Sequence, residues 1–269
     1  DTIIVGTQSE DSNQTTITNG TVASSDNSAI GSGAAYIFTR SGTSWSQEAY
    51  LKAPNAEAND NFGYSVSISG DTVVVGADGE DSNQTSITNG TTANSDNSAS
   101  ASGAAYVFVR SGTTWTQQAY FKAPNAELDD KFGHYVSISG DTVVIGAYME
   151  DSNQTIITNS TSASTDNTAS NSGAVYVFVR SGTTWSQQAY LKAPNTEAND
   201  YFGNPVSISG DTIVVGAYGE SSNQTAITNG TLASSDNSAS MSGAAYVFVR
   251  SGTTWSQQAY LKGSNSEAG

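Results

Sequence analysis

The sequence predicts an all-β chain of tandem four-stranded antiparallel units, with a 70-residue period and no helix. Three observations predict it. The first is strict internal repetition. Asp1, Asp71, Asp141 and Asp211 hold one phase, and Arg40, Arg110, Arg180 and Arg250 hold another. The only four tryptophans, Trp45, Trp115, Trp185 and Trp255, hold a third, and no insertion breaks the register. The second is period: apolar residues alternate with polar ones or run in short β-branched blocks, and no segment repeats at 3.6. The third is punctuation, because Gly-Asp, Ser-Gly-Thr and Ala-Pro-Asn recur between the runs as turns and strand breaks.

The unit beginning at Asn61 shows each element in turn. Tyr64 to Ser69 places Val66 and Ile68 on one face and Ser65, Ser67 and Ser69 on the other. That is a strand with one wet or tightly packed face. Gly70-Asp71 suits the two-residue turn of a primed hairpin. Thr72 to Ala77 carries Val73-Val74-Val75, apolar on both faces, and is expected to be the more buried strand. Ala104 to Arg110 is the third strand, Ser111-Gly112-Thr113 the turn after it, and Trp115 to Lys122 the fourth. Ala123-Pro124-Asn125 ends that strand, since proline donates no ladder hydrogen bond. Residues 61–130, 131–200 and 201–269 each read as one such unit. Residues 1–60 lack a first strand and read as an incomplete unit, so the chain reads as a fragment of a longer repeat. A four-stranded unit cannot bury its own faces and must stack on its neighbours. The pattern therefore predicts blades of a β-propeller type, with an open stack of blades in a fibre as the alternative. In either case the aromatic residues that recur once per unit are expected between blades.

Composition narrows the class. Hydrophobic residues make up 36% of the chain, which predicts a narrow core beneath much polar loop. The net charge is −16, and the nine Lys and Arg residues are spread through the units without forming a basic patch. Nucleic acid, which needs clustered cations against its phosphates, is not an expected partner. No apolar run reaches the ~18 residues of a membrane-spanning helix, so no membrane span is expected in this segment. The absence of cysteine excludes disulfides, thiolate zinc sites and cysteine nucleophiles.

Asp78 to Ser102 is a long polar loop between the second and third strands. Loops of this length usually carry function or hidden structure. Asn89-Gly90, flanked by β-forming residues, predicts a hairpin inside it, and Ile17, Ile87, Ile157 and Ile227 are expected to anchor the four loops. Each loop holds two N-x-[ST] sequons, so Asn13, Asn19, Asn83, Asn89, Asn153, Asn159, Asn223 and Asn229 are glycosylation candidates. Each also holds recurrent acids. If the loop folds back on itself, Glu80, Asp81 and Asp96 would gather at its mouth, and so would Glu150, Asp151 and Asp166. Such oxygen sets are candidate ligands for a hard cation such as Ca²⁺; the competing reading is Asx-turn and capping hydrogen bonds. No other cofactor is indicated.

Phe62-Gly63 followed by Val75-Gly76-Ala77 resembles the FG-GAP repeat of integrin α-subunit propellers. The closer likeness is to the FG-GAP variant of large bacterial surface and secreted proteins. Its SVSISGDTVVVGA and SGAAYVFVRSGTTW blocks stand here in the same order in successive units, with small substitutions. The resemblance implies four-stranded propeller blades, usually seven to a ring, in an extracellular or cell-surface protein that acts in adhesion or assembly. It also implies a calcium loop between the first two strands of integrin-type blades. Here Gly70-Asp71, Gly140-Asp141 and Gly210-Asp211 occupy that place and leave no room for a shell of oxygen ligands. That site is not carried over.

Catalysis at one place needs residues that break the repeat. His134, the only histidine, stands where Tyr64 and Asn204 stand in other units and reads as a variable rim residue. Leu128, Lys131, Met149, Pro205, Ser221 and Met241 also break the repeat, but they form no acid–base or nucleophile set. The chain reads as non-enzymatic. One reading is a structural or adhesive protein whose partners are copies of itself or neighbouring blades. The other is a glycan- or protein-binding module that acts through the long loops. Against the second stands the scarcity of loop aromatics, with only Tyr148 and Tyr218 near the loop starts.

Overall fold

Where the sequence alternates, the chain pairs. The computed structural model describes residues 1–268 and contains no helix among them; nor is any helix present that is long and apolar enough to cross a membrane. The second unit folds into strands Val66–Ser69, Thr72–Ala77, Ala104–Ser111 and Thr114–Phe121, hydrogen-bonded side by side in that order. Ser69 pairs with Thr72 across the predicted two-residue turn, and Gly70 has φ +58°, the sign a primed turn requires. Thr72–Ala77 is buried along its whole length, as its unbroken apolar run predicts. In the third and fourth units the first strand is longer, Phe132–Ser139 and Phe202–Ser209. Each unit makes its own antiparallel sheet of four or five strands. Among the described residues these sheets do not close into a ring.

The hairpin expected inside the long loop does not form. Thr88–Asn89 instead adds a two-residue strand to the outer edge of Thr114–Phe121, with Thr88 opposite Tyr120 and Asn89 opposite Ala119. Gly90 then turns the chain away at φ +127° while its N–H donates to the Gln118 carbonyl at 2.7 Å. The fourth strand carries a row of unpaired backbone groups on that edge. Pairing with it satisfies more of them than a local turn would. Thr18–Asn19 and Thr228–Asn229 make the same addition, and Thr158 bridges to Tyr190 in the third unit.

Adjacent sheets meet face to face along seams with three zones. At the inner end the serine face of one first strand is the tightly packed one. Val136, Ile138 and Gly140 donate their backbone N–H groups to the hydroxyls of Ser65, Ser67 and Ser69 at 3.0–3.1 Å. Ile208 and Gly210 do the same to Ser137 and Ser139. This contact demands close backbone approach, and glycine permits it. A Cβ on Gly76 would collide with the carbonyl oxygen of Gly133 in the next unit. In the middle zone, apolar side chains of successive units form shared clusters: Val73, Val75, Phe108 and Trp115 pack with Ala35, Ile37 and Leu51 of the preceding unit. At the outer end Trp115, Trp185 and Trp255 lie between sheets. Trp185 meets Phe121 of the preceding unit edge to face at 5.6 Å, and the Arg180 guanidinium stands 5.1 Å from its ring centre.

Trp185 is 1% exposed and Trp45 is 45% exposed. Replacing a buried large side chain by alanine costs about 3–5 kcal/mol. Trp185→Ala is therefore expected to lose that amount in a denaturant titration, and Trp45→Ala well under half of it. Equal losses from the two variants would contradict the seam assignment.

Candidate functional site

The long loop does fold back, and its ends meet as its acids suggested. Gly103 donates its N–H to the Glu80 carbonyl at 2.9 Å, and Ala101 donates to the Asp81 carboxylate at 2.7 Å. The acids, however, do not gather around one point. Glu80 turns inward and is buried. Its carboxylate accepts from Lys122 Nζ and Tyr120 OH at 2.9 Å, from Asn55 Nδ2 at 3.0 Å and from the Ser82 N–H at 3.2 Å. The Lys122 ammonium also donates to Ser102 Oγ at 2.7 Å. Glu150 and Lys192 repeat this arrangement, with Tyr190, Asn125 and Ser172. An ammonium group thus sits among carboxylate and hydroxyl oxygens, the kind of ligand a hard cation takes. Burial pulls the Lys122 ammonium below its usual range, and the adjacent Glu80 carboxylate opposes the shift.

Asp96 and Asp166 point the other way. Asp96 is exposed and accepts from the N–H and hydroxyl of Ser98 at 3.0 and 2.6 Å. The Ser98 hydroxyl, ahead of its N–H, holds that carboxyl below the ordinary aspartate range. Asp166 and Thr168 repeat the turn, and Asp151 accepts from the Asn171 N–H as Asp81 does from Ala101. The expected gathering of Glu80, Asp81 and Asp96, and of Glu150, Asp151 and Asp166, is therefore not what the fold produces. Among the described residues no group of three or more His, Cys, Asp or Glu side chains is placed to hold a metal ion. The physical reason is the lysine, whose ammonium draws the first acid inward while the serine or threonine turn keeps the last one outside.

His134 also departs from expectation. It is 8% exposed rather than on a rim, and its Nδ1 lies 2.7 Å from Asp78 Oδ2 of the preceding unit. Its ring sits between Tyr64 and Tyr148, with centres 4.2 and 4.4 Å away. It fills a seam.

The sequon asparagines divide into two groups. Asn83, Asn153 and Asn223 are exposed, and each donates to a nearby loop hydroxyl. Asn13 is exposed as well. Asn19, Asn89 and Asn159 instead grip the next unit. Asn89 Nδ2 donates to the Trp185 carbonyl at 3.2 Å while its Oδ1 accepts the Trp185 N–H at 2.7 Å. Asn19 holds Trp115 in the same way, and Asn159 holds Trp255. Asn229 occupies the equivalent position on the fourth unit.

A cavity opens beside each of these clasps, where the loop of one unit faces the fourth strand of the next. The three have volumes of about 320, 310 and 420 Å³. The middle one is lined by Thr85, Ser86, Pro124, Thr161, Trp185 and Gln187 among others, and the other two use the equivalent residues. These cavities have no signature in the sequence. The recurring Gln117, Gln187 and Gln257 were visible, but nothing in the sequence says that an asparagine grips the tryptophan of the following unit.

The structure thus defines a tandem-repeat, all-β scaffold with an equivalent cavity recurring at its three seams. A model of the FG-GAP repeat matches residues 45–91, 115–178 and 185–248, together more than half of the chain. The chain belongs to the FG-GAP repeat family. Each matched segment begins at the tryptophan of one unit and runs across into the following unit. No curated protein matches the chain.

Asp60, Asp130 and Asp200 are buried in the linkers between units. Burial pushes their carboxyls up to about 8, 8 and 7. The Glu127 N–H, 2.8 Å from Asp130 Oδ2, opposes the shift, whereas nearby Glu150, Glu127 and Asp151 add to it. A raised carboxyl contributes stability fully below the unfolded value of about 3.9 and loses it as pH rises through the folded value. Asp130→Asn is expected to melt with the parent near pH 4 and progressively above it up to pH 8. A constant difference across that range would contradict the assignment.

Proposed function

We propose that this chain is a non-catalytic recognition module of an extracellular or cell-surface protein, binding glycans or proteins through its long loops. The observation that carries this reading is the set of equivalent cavities between each loop and the following sheet. Concave sites with a few placed polar groups on a rigid frame are where ligands bind. The frame repeats almost unchanged, whereas the exposed residue at each cavity mouth differs: Thr16, Ser86 and Ile156. Variable side chains on loops held by a fixed scaffold are a common basis of recognition.

Family membership supports a surface location, because the likeness is to integrin-type and bacterial surface blades. The face-to-face packing supports a propeller-like or extended array in which neighbouring blades, or copies of the chain, continue the same seam. Calcium has no part in this reading, since lysine ammonium groups hold the inward-facing Glu80 and Glu150.

The cavities can be closed without touching the seams by placing indole rings at their mouths: Thr16→Trp, Ser86→Trp and Ile156→Trp together. The parent chain is expected to bind members of an array of immobilised extracellular glycans and proteins, and the triple variant to lose that binding with an unchanged melt. Binding that survives in the triple variant, or no binding by the parent, would overturn the proposal.

A further inference from the structure

The chemistry of the cavities narrows the ligand. In the largest, the wall includes Ile157, Pro194 and Trp255, with hydroxyls from Thr155, Thr231 and Ser256. Gln257 also lines it and is 6% exposed. Its Nε2 donates to the carbonyls of Gly230 and Leu232 at 3.2 and 3.3 Å. Its Oε1 is buried with no hydrogen-bond partner. A buried acceptor without a partner costs free energy that a donor from a ligand restores. Lys192 is the only charged residue in the wall, and its ammonium is already bound to Glu150, Ser172 and the Gly173 carbonyl. The cavity therefore offers apolar walls, hydroxyls and, on one lining residue, a buried amide oxygen without a partner, but no free charge.

We infer that each seam cavity takes one ring of a neutral sugar, and that the row of cavities engages a repetitive neutral glycan. This rests on the recognition reading above. A sugar ring has an apolar C–H face for the proline, isoleucine and tryptophan and hydroxyl donors for the amide oxygen. Volumes of about 310–420 Å³ are at the small end of the ligand range. Anionic ligands fit poorly: nothing in the cavity pairs with an anion, and the net charge of −16 repels polyanions. The repetition supplies strength. One ring held by one cavity binds weakly, whereas linked rings in several cavities gain on the order of 10²–10⁴-fold through effective concentration.

The test uses the whole chain with dextran, mannan and galactan as neutral polymers, their methyl monoglycosides as single rings, and alginate as a polyanion. Affinity electrophoresis and calorimetry are the readouts. At least one neutral polymer is expected to bind about 10²-fold or more tightly per chain than its monoglycoside, and alginate not to bind. Blocking one, two and then three cavities with Thr16→Trp, Ser86→Trp and Ile156→Trp is expected to weaken the polymer stepwise. Gln257→Leu, which removes the acceptor together with the Nε2 bonds to the Gly230 and Leu232 carbonyls, is expected to weaken it by about tenfold or more. Binding only to proteins, lost in the triple variant, would overturn the sugar inference and leave the recognition reading standing. Failure of every glycan and every protein, with water as the sole partner of Gln257, would overturn both.

Discussion

A strand that donates to side chains instead of to another strand sets the spacing of this molecule. The first strand of each complete unit is the edge of its sheet, and an edge has N–H groups with no partner. In the third and fourth units those groups point at serine hydroxyls of the preceding unit, as with Ile138 on Ser67 and Ile208 on Ser137. Serine is short, so the two backbones must come close. That closeness is why Gly76 and Gly133 cannot carry a side chain, and it brings the apolar faces into one shared cluster. The residues that give the family its name are therefore contact residues of the seam. The family match reflects this, since each matched segment spans a seam instead of a single sheet.

The outer end of the seam follows from the inner one. Once the sheets are held close at the serines, the next unit's tryptophan falls beside the loop of the unit before it. Asn89 then reaches Trp185 with both amide atoms, and Trp185 Nε1 donates to Gln118 at 2.8 Å. The loop is thereby fixed at both ends, through Glu80 and Asp81 at its base and through the asparagine at its far side. A cavity beside a doubly anchored loop is preorganised, which lowers the cost of ordering when a ligand binds. The scaffold and the proposed recognition role thus use the same contacts.

Much of this was legible in the sequence, for reasons that particular residues make clear. Period-two alternation, the Gly70-Asp71 turn and Pro124 were enough for the four strands and their order, because those signals are local. The all-β class with a 70-residue unit follows from them. The packed serine face was one of two options, and only the neighbouring sheet decides between them. What stayed hidden depends on partners far along the chain. Asn89 looked like half of a hairpin turn, but its partners lie on Trp185. Glu80 looked like a metal ligand because Lys122 is distant in sequence and nothing local says that its ammonium is buried there. His134 looked peripheral because Asp78 belongs to another unit. Residues whose role is set by the next sheet cannot be read from their own.

Serine hydroxyls, not solvent, take the edge N–H groups of the first strands in the third and fourth units. Backbone hydrogen exchange of Ile138, Gly140, Ile208 and Gly210 tests this directly. All four are expected to be protected to an extent comparable to that of amides paired between strands, with Ser67→Ala selectively releasing Ile138. Exchange of these amides at the rate of solvent-exposed edge groups in the intact chain would contradict it.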